Sequence, residues 1–475
     1  MILWLYLIYH QSFFHLFALA PLLYSDWPFL KTGFGIVWAE NRMIGTGIMV
    51  LIPLLIWLLW MVYVWFFRAI GQISFGRISL VLYTGLSVAL AAALIQRPWP
   101  TTSQDVFQES TLSLAHNLID SRQAKIKYAK LDQTELEVFD QAFKFDLVNR
   151  PNIYMVFIES FGRVAYNDEN VRDALVRFEG SLKANKWSLA GRFSTAPVSG
   201  GSSWVSYGSV MLGYNIENRA NFVSIMKDTL YRKNHHFFYH LKGQGYKNFR
   251  LIPLPENERD QIPWDQYQHF YGVDEWVKYM DLNVNPEARF GWRGAPSDQY
   301  SLHYTYHHYL KDMNEPFSLF FITLNSHTPF HAPRALAANW ADHEQLNNSN
   351  VDFLTNPNEE DYYRSVVYEI DMLSDFIVKN GSDNDLFLLI GDHQPPYFTR
   401  EEDGYETPVF FISRDTGFVS GLGSYGFEQT ALPGDQPEEV NHAGLHSILM
   451  RSLQSHYGQD TLALPPYYPF GYVFK

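Results

Sequence analysis

Beyond residue 150, the sequence alternates short runs that are apolar throughout with longer amphipathic segments. The runs "NIYMVFIES", "FSLFFITLNSH", "DLFLLIGDHQPP" and "TPVFFIS" have strand length, whereas "EEDYYRSVVYEIDMLSDFIVKNG" and "GLHSILMRSL" have helical spacing. Strands without a polar face are buried on both sides, as in parallel sheets whose crossovers are helices. The pattern therefore predicts an α/β fold with a mainly parallel sheet sandwiched by helices over residues 151–475.

Polar residues that can act as ligands stand where three of these runs stop. Glu159 ends the first run, His327 ends the second, and Asp392 and His393 end the third. Because parallel sheets place binding sites beyond the carboxyl ends of their strands, we expect these side chains to converge. An isolated acid after a strand is more often a helix cap. Together, however, carboxylate oxygens and imidazole nitrogens suit Zn²⁺ or Mn²⁺.

A candidate nucleophile lies between the first strand and the next, in "STAPVSGGSSWVSYGSVMLGY". Gly200 and Gly201 allow a sharp backbone turn, Ser202 and Ser203 follow it, and the later residues have helical spacing. The free N–H groups of a helix N-terminus favour anions such as a phosphoryl oxygen. A metal-bound serine at that place is a competent nucleophile. An ordinary serine N-cap is the alternative interpretation.

The first 97 residues contain long runs without charged side chains. Three runs, at 2–24, 46–67 and 78–95, contain no Asp, Glu, Lys or Arg. Since about 20 apolar residues cross a bilayer, we expect about three transmembrane helices in residues 1–97. A helical connector over 98–150 and a main domain over 151–475 would follow. The alternative for the first run is a signal peptide ending near Ala20, although no basic segment precedes that run.

Charge distinguishes the two parts of the chain. Residues 1–97 contain five Lys or Arg and two acids, whereas the remainder contains 31 Lys or Arg and 48 acids. An acidic main domain argues against nucleic acid as a partner. The absence of cysteine excludes disulfides and thiolate metal sites.

In the loop "RAIGQISFGR", Arg68 and Arg77 favour a cytoplasmic position. The main domain is therefore expected outside the cell membrane, and whether further helices precede residue 1 stays open.

The motifs together resemble the alkaline phosphatase superfamily. Within it they resemble the membrane-anchored sulfatase-like branch of lipoteichoic acid synthases, phosphoglycerol transferases and phosphoethanolamine transferases. The resemblance rests on "YMVFIESFGR", "GGSSWVSYGSVMLG", "LNSHTPFHAP" and "LLIGDHQPP", which occur in the order found in that branch.

The resemblance implies roles for the residues of these motifs. A divalent metal, Mn²⁺ or Zn²⁺ with Mg²⁺ as a further candidate, would be bound by Glu159, Asp392, His393 and the nucleophile. Two adjacent glycines and two adjacent serines let the nucleophile fall on Ser203, which we favour, or on Ser202. The branch usually has Thr there, and a serine hydroxyl is chemically adequate. His327 would bind substrate.

The implied function is that of a multi-pass membrane enzyme with an extracytoplasmic catalytic domain. It would move a phosphoglycerol or phosphoethanolamine head group from a membrane lipid to a hydroxyl of a cell-envelope glycan or lipid, through a covalent phospho-serine. A phosphoric or sulfuric ester hydrolase of the same fold is an alternative, although "STAPVS" lacks the arginine of formylglycine sulfatases. A non-catalytic membrane sensor that retains the fold is a second alternative.

The charge of the 68–77 loop generates a test of topology. A reporter fused after residue 120 should behave as extracytoplasmic, because the loop with Arg68 and Arg77 holds the preceding end of the third apolar run in the cytoplasm. Activity of a compartment-specific reporter measures the outcome. A cytoplasmic signal after residue 120 would reverse the orientation.

Overall fold

A computed structural model describes residues 138–143, 146–218, 221–222, 225–226, 236–254, 264–285, 291–333, 335–345, 357–436, 438–459 and 463–474, together with 114–123 and scattered positions from 6 to 68. The chain divides into two compact units, residues 1–14 with 20–125, and residues 15–19 with 126–475. The predicted span at 78–95 lies outside the described residues, as do most positions of the span at 2–24 and nearly half of those of the span at 46–67. Over the described positions, no helix is both long enough and apolar enough to cross a membrane.

In the first unit, the described contacts centre on Asn117. Its side chain donates a hydrogen bond to the carbonyl oxygen of Pro21 and accepts one of 2.9 Å from the backbone N–H of Leu23. The backbone N–H of Tyr24 donates to Ser121 Oγ at 3.1 Å. These bonds attach the segment 21–24 to the helical segment 114–123, which lies within the predicted connector.

The second unit contains a seven-stranded sheet in the order β2-β7-β6-β1-β5-β3-β4. Its strands are β1 Asn152–Ile158, β2 Ser188–Thr195, β3 Lys247–Ile252, β4 Glu275–Lys278, β5 Phe317–Ile322, β6 Asp385–Gly391 and β7 Glu406–Ser413. Four of the six neighbouring pairs are parallel, and β7 runs antiparallel to both β6 and β2. The sheet is therefore mixed, because β6 is joined to β7 by a loop rather than by the helical crossover that a parallel neighbour requires.

Helices cover both faces of the sheet. They are α1 Glu169–Ala184, α2 Ser203–Leu212, α3 Phe237–Gly243, α4 Trp264–Tyr271, α5 Asp298–Thr305, α6 Glu359–Asn380, α7 Thr416–Gly421 and α8 His442–Tyr457, and α5 continues into a π-helical turn at Tyr306–Leu310. Buried residues of α2, α3, α4, α7 and α8 belong to one hydrophobic cluster, and those of α1, α5 and α6 belong to a second. This arrangement confirms the expected sandwich of helices around a sheet.

The central strand β1 shows why the apolar runs have no polar face. Alternate residues of a strand point to opposite sides of a sheet. Ile153, Met155 and Phe157 accordingly join the cluster of α2 and α8, while Tyr154 and Val156 join the cluster of α1 and α6. Both sides of the strand are therefore in the core, and the chain reaches polar surroundings only where the strand ends.

Helix α6 follows the amphipathic pattern closely. Asn358 caps its start by accepting a 3.0 Å hydrogen bond from the backbone N–H of Asp361. Acids occupy the first turn and Lys379 the last, which complements the helix dipole. The helix ends before Gly381, as predicted. One residue departs from the pattern, because Glu369 is fully buried in the middle of the helix.

Packing of the C-terminal segment against α8 generates a test of the fold. A Cβ on Gly444 would lie 1.9 Å from the carbonyl oxygen of Pro469, so Gly444→Ala must displace that segment. We expect a loss of about 1–3 kcal/mol in the free energy of unfolding, as for other overpacked sites. Denaturant unfolding of the full chain measures it.

Gly180→Ala is the matched control, because Gly180 also lies in a helix but has nothing within 4 Å of an added Cβ. That variant should gain about 0.5–1 kcal/mol from helix propensity. Equal stability changes in the two alanine variants would contradict the packing of residue 469 on α8.

Candidate active site

The site begins with the register of two neighbouring strands. In the parallel pair β1–β6, Ile158 lies opposite Gly391. The next residue of each strand is an acid, so Glu159 and Asp392 emerge side by side, with His393 directly after them. Ligand atoms of these three residues all lie within 4.8 Å of one another, and the three side chains are buried. Three of the four residues expected at the strand ends therefore form one cluster.

Hydrogen bonds fix the orientation of the Asp392 carboxylate. Its Oδ1 accepts from the backbone N–H groups of Ser160 at 2.8 Å and His393 at 2.7 Å, and its Oδ2 accepts from the hydroxyl of Tyr207 at 3.3 Å. The hydroxyl of Ser206 donates to the carbonyl oxygen of Asp392 at 2.7 Å. Helix α2 thus contacts the acid through two side chains one residue apart.

The His393 imidazole is held with one nitrogen toward the acids. Its Nδ1 lies 2.8 Å from the carbonyl oxygen of Gln394, which only accepts, so Nδ1 is the protonated nitrogen. Nε2 then faces the cluster, 3.4 Å from Glu159 Oε1. A backbone carbonyl on the far nitrogen is the usual means by which proteins orient a metal-binding histidine.

Several supporting residues were not predicted from the sequence. Ser160 has a positive φ of 57°, which is costly for a residue with a side chain. Its carbonyl oxygen accepts from the hydroxyl of Tyr362 at 3.0 Å. The backbone N–H of Glu159 donates to Thr323 Oγ1 at 3.0 Å. The polar residues directly after β1 and β5 were the available signal for Ser160 and Thr323, whereas nothing in the pattern of α6 singled out Tyr362.

Gly391 is required by the approach of two chain segments. A Cβ at this position would lie 2.0 Å from the carbonyl oxygen of Phe161. Only a residue without a side chain allows the segment after β1 to cross the end of β6 this closely. The glycine of "GDH" is therefore required for steric reasons, and the close approach that it allows brings the two acids together.

The helix start brings a hydroxyl to the cluster. Helix α2 begins at Ser203, as expected, and Ser202 is its N-cap residue in the left-handed conformation with φ 62° and ψ 35°. Ser203 Oγ lies 3.0 Å from His393 Nε2 and 3.4 Å from Glu159 Oε2. The first N–H groups of a helix have no partner within the helix and point out of its start. An anion bound beside Ser203 would meet these donors.

The electrostatics of the cluster favour a cation. Burial, and then the neighbouring charge of Asp392, raise the pKa of Glu159 well above its ordinary value. Among the described residues, no Lys or Arg lies within 4.0 Å of either carboxylate, and His393 is the basic group in contact with them. Two buried acids beside an imidazole form a donor set that fits a divalent cation such as Mn²⁺ or Zn²⁺.

His327 follows β5 and is half-buried against an aromatic ring. Its imidazole stacks on Trp292, with ring centroids 3.9 Å apart and planes 17° apart. The His327 Nδ1 lies 2.6 Å from the carbonyl oxygen of Thr328, which makes Nδ1 the protonated nitrogen. Burial lowers the pKa of His327 to about 4, with the nearby His393 adding to the effect. His327 is therefore neutral at neutral pH, and Nε2 is an acceptor.

Two further histidines, near the start of α8, have structural contacts. His442 Nε2 lies 2.9 Å from the hydroxyl of Thr407, and burial lowers the pKa of His442 to about 3. His446 Nδ1 lies 3.2 Å from the carbonyl oxygen of Val210. These contacts attach α8 to β7 and α2.

No family profile and no curated protein matches the sequence. Solved structures similar to this chain include the lipoteichoic acid synthase LtaP of Listeria monocytogenes (16% identity, TM-score 0.45, covering 71% of this chain and 80% of that one). They also include the lipooligosaccharide phosphoethanolamine transferase EptA of Neisseria meningitidis (12%, 0.40, 81% and 76%) and the phosphoglycerol transferase GacH of Streptococcus pyogenes (13%, 0.40, 72% and 88%). These proteins are of the kinds that the sequence motifs resemble, and the likeness is distant.

Proposed function

We propose that the protein is a membrane-anchored, metal-dependent phosphotransferase. It moves a phosphoglycerol- or phosphoethanolamine-type head group from a membrane lipid to a hydroxyl of a cell-envelope glycan or lipid. The observation that supports this most directly is the Ser203 hydroxyl, 3.0 Å from His393 Nε2 and 3.4 Å from Glu159 Oε2 at the start of a helix. A hydroxyl, a buried ligand set and free N–H donors are what phosphoryl transfer through a covalent intermediate needs.

Glu159, Asp392, His393 and Ser203 would hold the cation. When bound, a divalent cation favours the alkoxide form of the serine and offsets negative charge on the transferring phosphoryl group. The hydrogen bonds from Ser160, His393 and Tyr207 keep the Asp392 carboxylate in one orientation. The chain therefore contributes a ligand set whose geometry is fixed before substrate arrives.

The transfer has two steps, and both use Ser203. First, Ser203 Oγ forms a bond to phosphorus while the bond from phosphorus to the lipid alcohol breaks, which leaves the head group on the serine. Second, the acceptor hydroxyl oxygen bonds to phosphorus and the bond to Oγ breaks, which restores the serine. The net proton transfer is from the acceptor hydroxyl to the lipid alcohol. N–H groups at the start of α2 stabilise the phosphoryl oxygens in both steps.

His327 would bind the head group beside the reacting phosphorus. In its neutral form Nδ1–H is directed to the Thr328 carbonyl, and Nε2 accepts a hydrogen bond. A glycerol hydroxyl or an ethanolamine ammonium group offers the matching donor. The stacked Trp292 ring adds a flat apolar wall next to the imidazole. This chemistry supports a polar, donor-bearing head group rather than a bare phosphate.

The proposed donor and location rest on the first 97 residues. Their uncharged runs would place multi-pass helices in the cell membrane and the catalytic domain outside it. A site attached to the bilayer meets lipids at its surface, which supports a lipid as the donor. The acidic character of the rest of the chain supports a partner other than nucleic acid.

Removal of one acid tests the metal site. Asp392→Ala leaves the cation with an incomplete ligand set, and we expect its metal affinity to fall by more than about tenfold, with loss of turnover. Elemental analysis of the purified full chain measures bound metal. Asp383→Ala is the matched control, because Asp383 precedes the same strand with its side chain 88% exposed. Full metal occupancy in Asp392→Ala would remove Asp392 from the ligand set.

Adjacent serines test the nucleophile. Ser203→Ala should abolish both turnover and the covalent head-group adduct, because the reacting oxygen is removed. Ser202→Ala should retain some of both, since Ser202 is the N-cap residue one position earlier. Ser203→Thr preserves the hydroxyl and should retain activity. Mass spectrometry of each variant after incubation with a membrane lipid extract detects the adduct.

The reverse result, a dead Ser202→Ala with an active Ser203→Ala, would shift the register by one residue. Adduct formation by both alanine variants would exclude a single fixed serine of this loop as the nucleophile. Turnover without an adduct in the wild type would favour direct attack by water.

A further inference from the structure

A second pair of acids is buried next to the segment that carries His327. Asp298 is the first residue of α5 and Glu369 lies in the middle of α6, and both are 0% exposed. Their carboxyl groups are in hydrogen-bonding contact with one another. Two ionised carboxylates in such contact would repel strongly in a desolvated environment. Among the described residues, no Lys, Arg or His forms an ion pair with either acid.

Asp298 holds the turn that follows β5. Its Oδ2 accepts hydrogen bonds of 2.7 Å from the backbone N–H groups of both Leu324 and Asn325. Its own backbone N–H donates to the Asn325 side-chain oxygen at 2.9 Å. The segment held in this way ends two residues before His327. Two N–H donors on one oxygen are the surroundings of an ionised carboxylate.

Glu369 is less well compensated than Asp298. Neither of its carboxyl oxygens has a hydrogen-bond partner of ordinary geometry, and neither does Asp298 Oδ1, although the backbone N–H groups of Asn325 and Ser326 are close enough to lower the pKa of Glu369. These weak contacts compensate an ionised Glu369 for only part of its lost hydration. Burial, and then the charge of Asp298, raise the pKa of Glu369 well above its ordinary value, in accord with this geometry. A proton on Glu369 would give Asp298 Oδ1 the donor that it lacks.

We propose that Glu369 is a neutral carboxylic acid that donates its proton to Asp298, and that this acid pair is a positioning device for His327. The first part stands on the geometry of the pair, and the second rests on the proposed function. Glu369 does not touch the reacting atoms. It acts through Asp298, whose contacts with Leu324 and Asn325 set the path of the chain into His327.

The other titratable groups around the pair are neutral at neutral pH. Tyr368 is the neighbour on α6, and burial raises the pKa of its hydroxyl well above its ordinary value. His343 Nδ1 lies 2.8 Å from the hydroxyl of Ser297, the N-cap of α5, and burial lowers the pKa of His343. His327, beyond the turn, is neutral for the reason given above. Asp298 and Glu369 are therefore the groups that set the charge here.

Glu369→Gln distinguishes a neutral acid from a carboxylate. Glutamine has the shape of the protonated acid and donates a hydrogen bond in the same direction, so this variant should keep turnover within about twofold. Glu369→Ala removes the donor and leaves Asp298 Oδ1 without one. We expect KM to rise by about tenfold with a smaller change in kcat, because His327 binds the head group. Glu360→Gln, exposed at the start of the same helix, is the control.

Infrared difference spectroscopy of the full chain observes the proton without using activity. At neutral pH the wild type should show a carboxylic acid carbonyl band that is absent from Glu369→Gln and present in Glu360→Gln. Because the folded chain keeps a proton that the unfolded chain releases, the stability contributed by Glu369 is complete below the ordinary pKa of glutamate, about 4.3. That contribution is lost as the pH rises toward the folded-state pKa, and Glu369→Gln should not show this loss.

Absence of the band in the wild type would overturn the claim that Glu369 is a neutral carboxylic acid. A retained band with Glu369→Gln as impaired as Glu369→Ala would overturn positioning of His327 by a neutral acid. If the band is present but the wild type transfers no head group, the proposed function fails while the acid pair stands. The spectroscopic and kinetic arms therefore separate the two claims.

Discussion

The register of β1 and β6 forces Glu159 and Asp392 into one buried cluster, and the rest of the site follows from this constraint. At about 4 Å, two like charges repel by about 4 kcal/mol even at an effective dielectric constant of 20, and burial adds a desolvation cost. Backbone and hydroxyl donors compensate Asp392. Glu159 accepts only the hydroxyl groups of Ser160 at 3.2 Å and Ser203 at 3.4 Å, and burial together with the charge of Asp392 raises its pKa. A cation beside both acids and His393 would remove the repulsion and use the geometry already present.

Two pairs of acids are buried in contact in the second unit, and their mutual repulsion is relieved in different ways. The pair Glu159–Asp392 has an imidazole nitrogen and a serine hydroxyl beside it, so a cation can complete the group. The pair Asp298–Glu369 has no such neighbour within hydrogen-bonding distance, and a shared proton neutralises it instead. In the first pair, the carboxylates can stay charged and bind a cation. The second pair leaves the turn that precedes His327 held on a carboxylate whose two oxygens both have donors.

The sequence predicted those site residues whose positions depend on where the apolar runs end. Those runs are buried on both sides, so the first polar residue after each one had to lie at the sheet edge, and Glu159, Asp392 and His393 were found in this way. The direction of β7 is decided by the connection before it and not by its apolar residues. Strand β2 was missed because it contains Arg192, which is buried with its guanidinium donating to the carbonyl oxygens of Phe193, Tyr425 and Glu438. The acceptors in Tyr425 and Glu438, like the partner of Glu369, come from distant segments and leave no local signal.

Asp392 and His393 lie more than 230 positions after Glu159, so this cluster of two acids and an imidazole exists only when β1 and β6 are paired. The unfolded chain holds no such group, and a cation that binds the folded chain alone stabilises it by mass action, by about 2.7 kcal/mol at 100 times its Kd. Part of that free energy offsets the repulsion between the acids and the positive φ of Ser160. Strain and repulsion that would otherwise weaken the fold are thus located where ligand binding can compensate them.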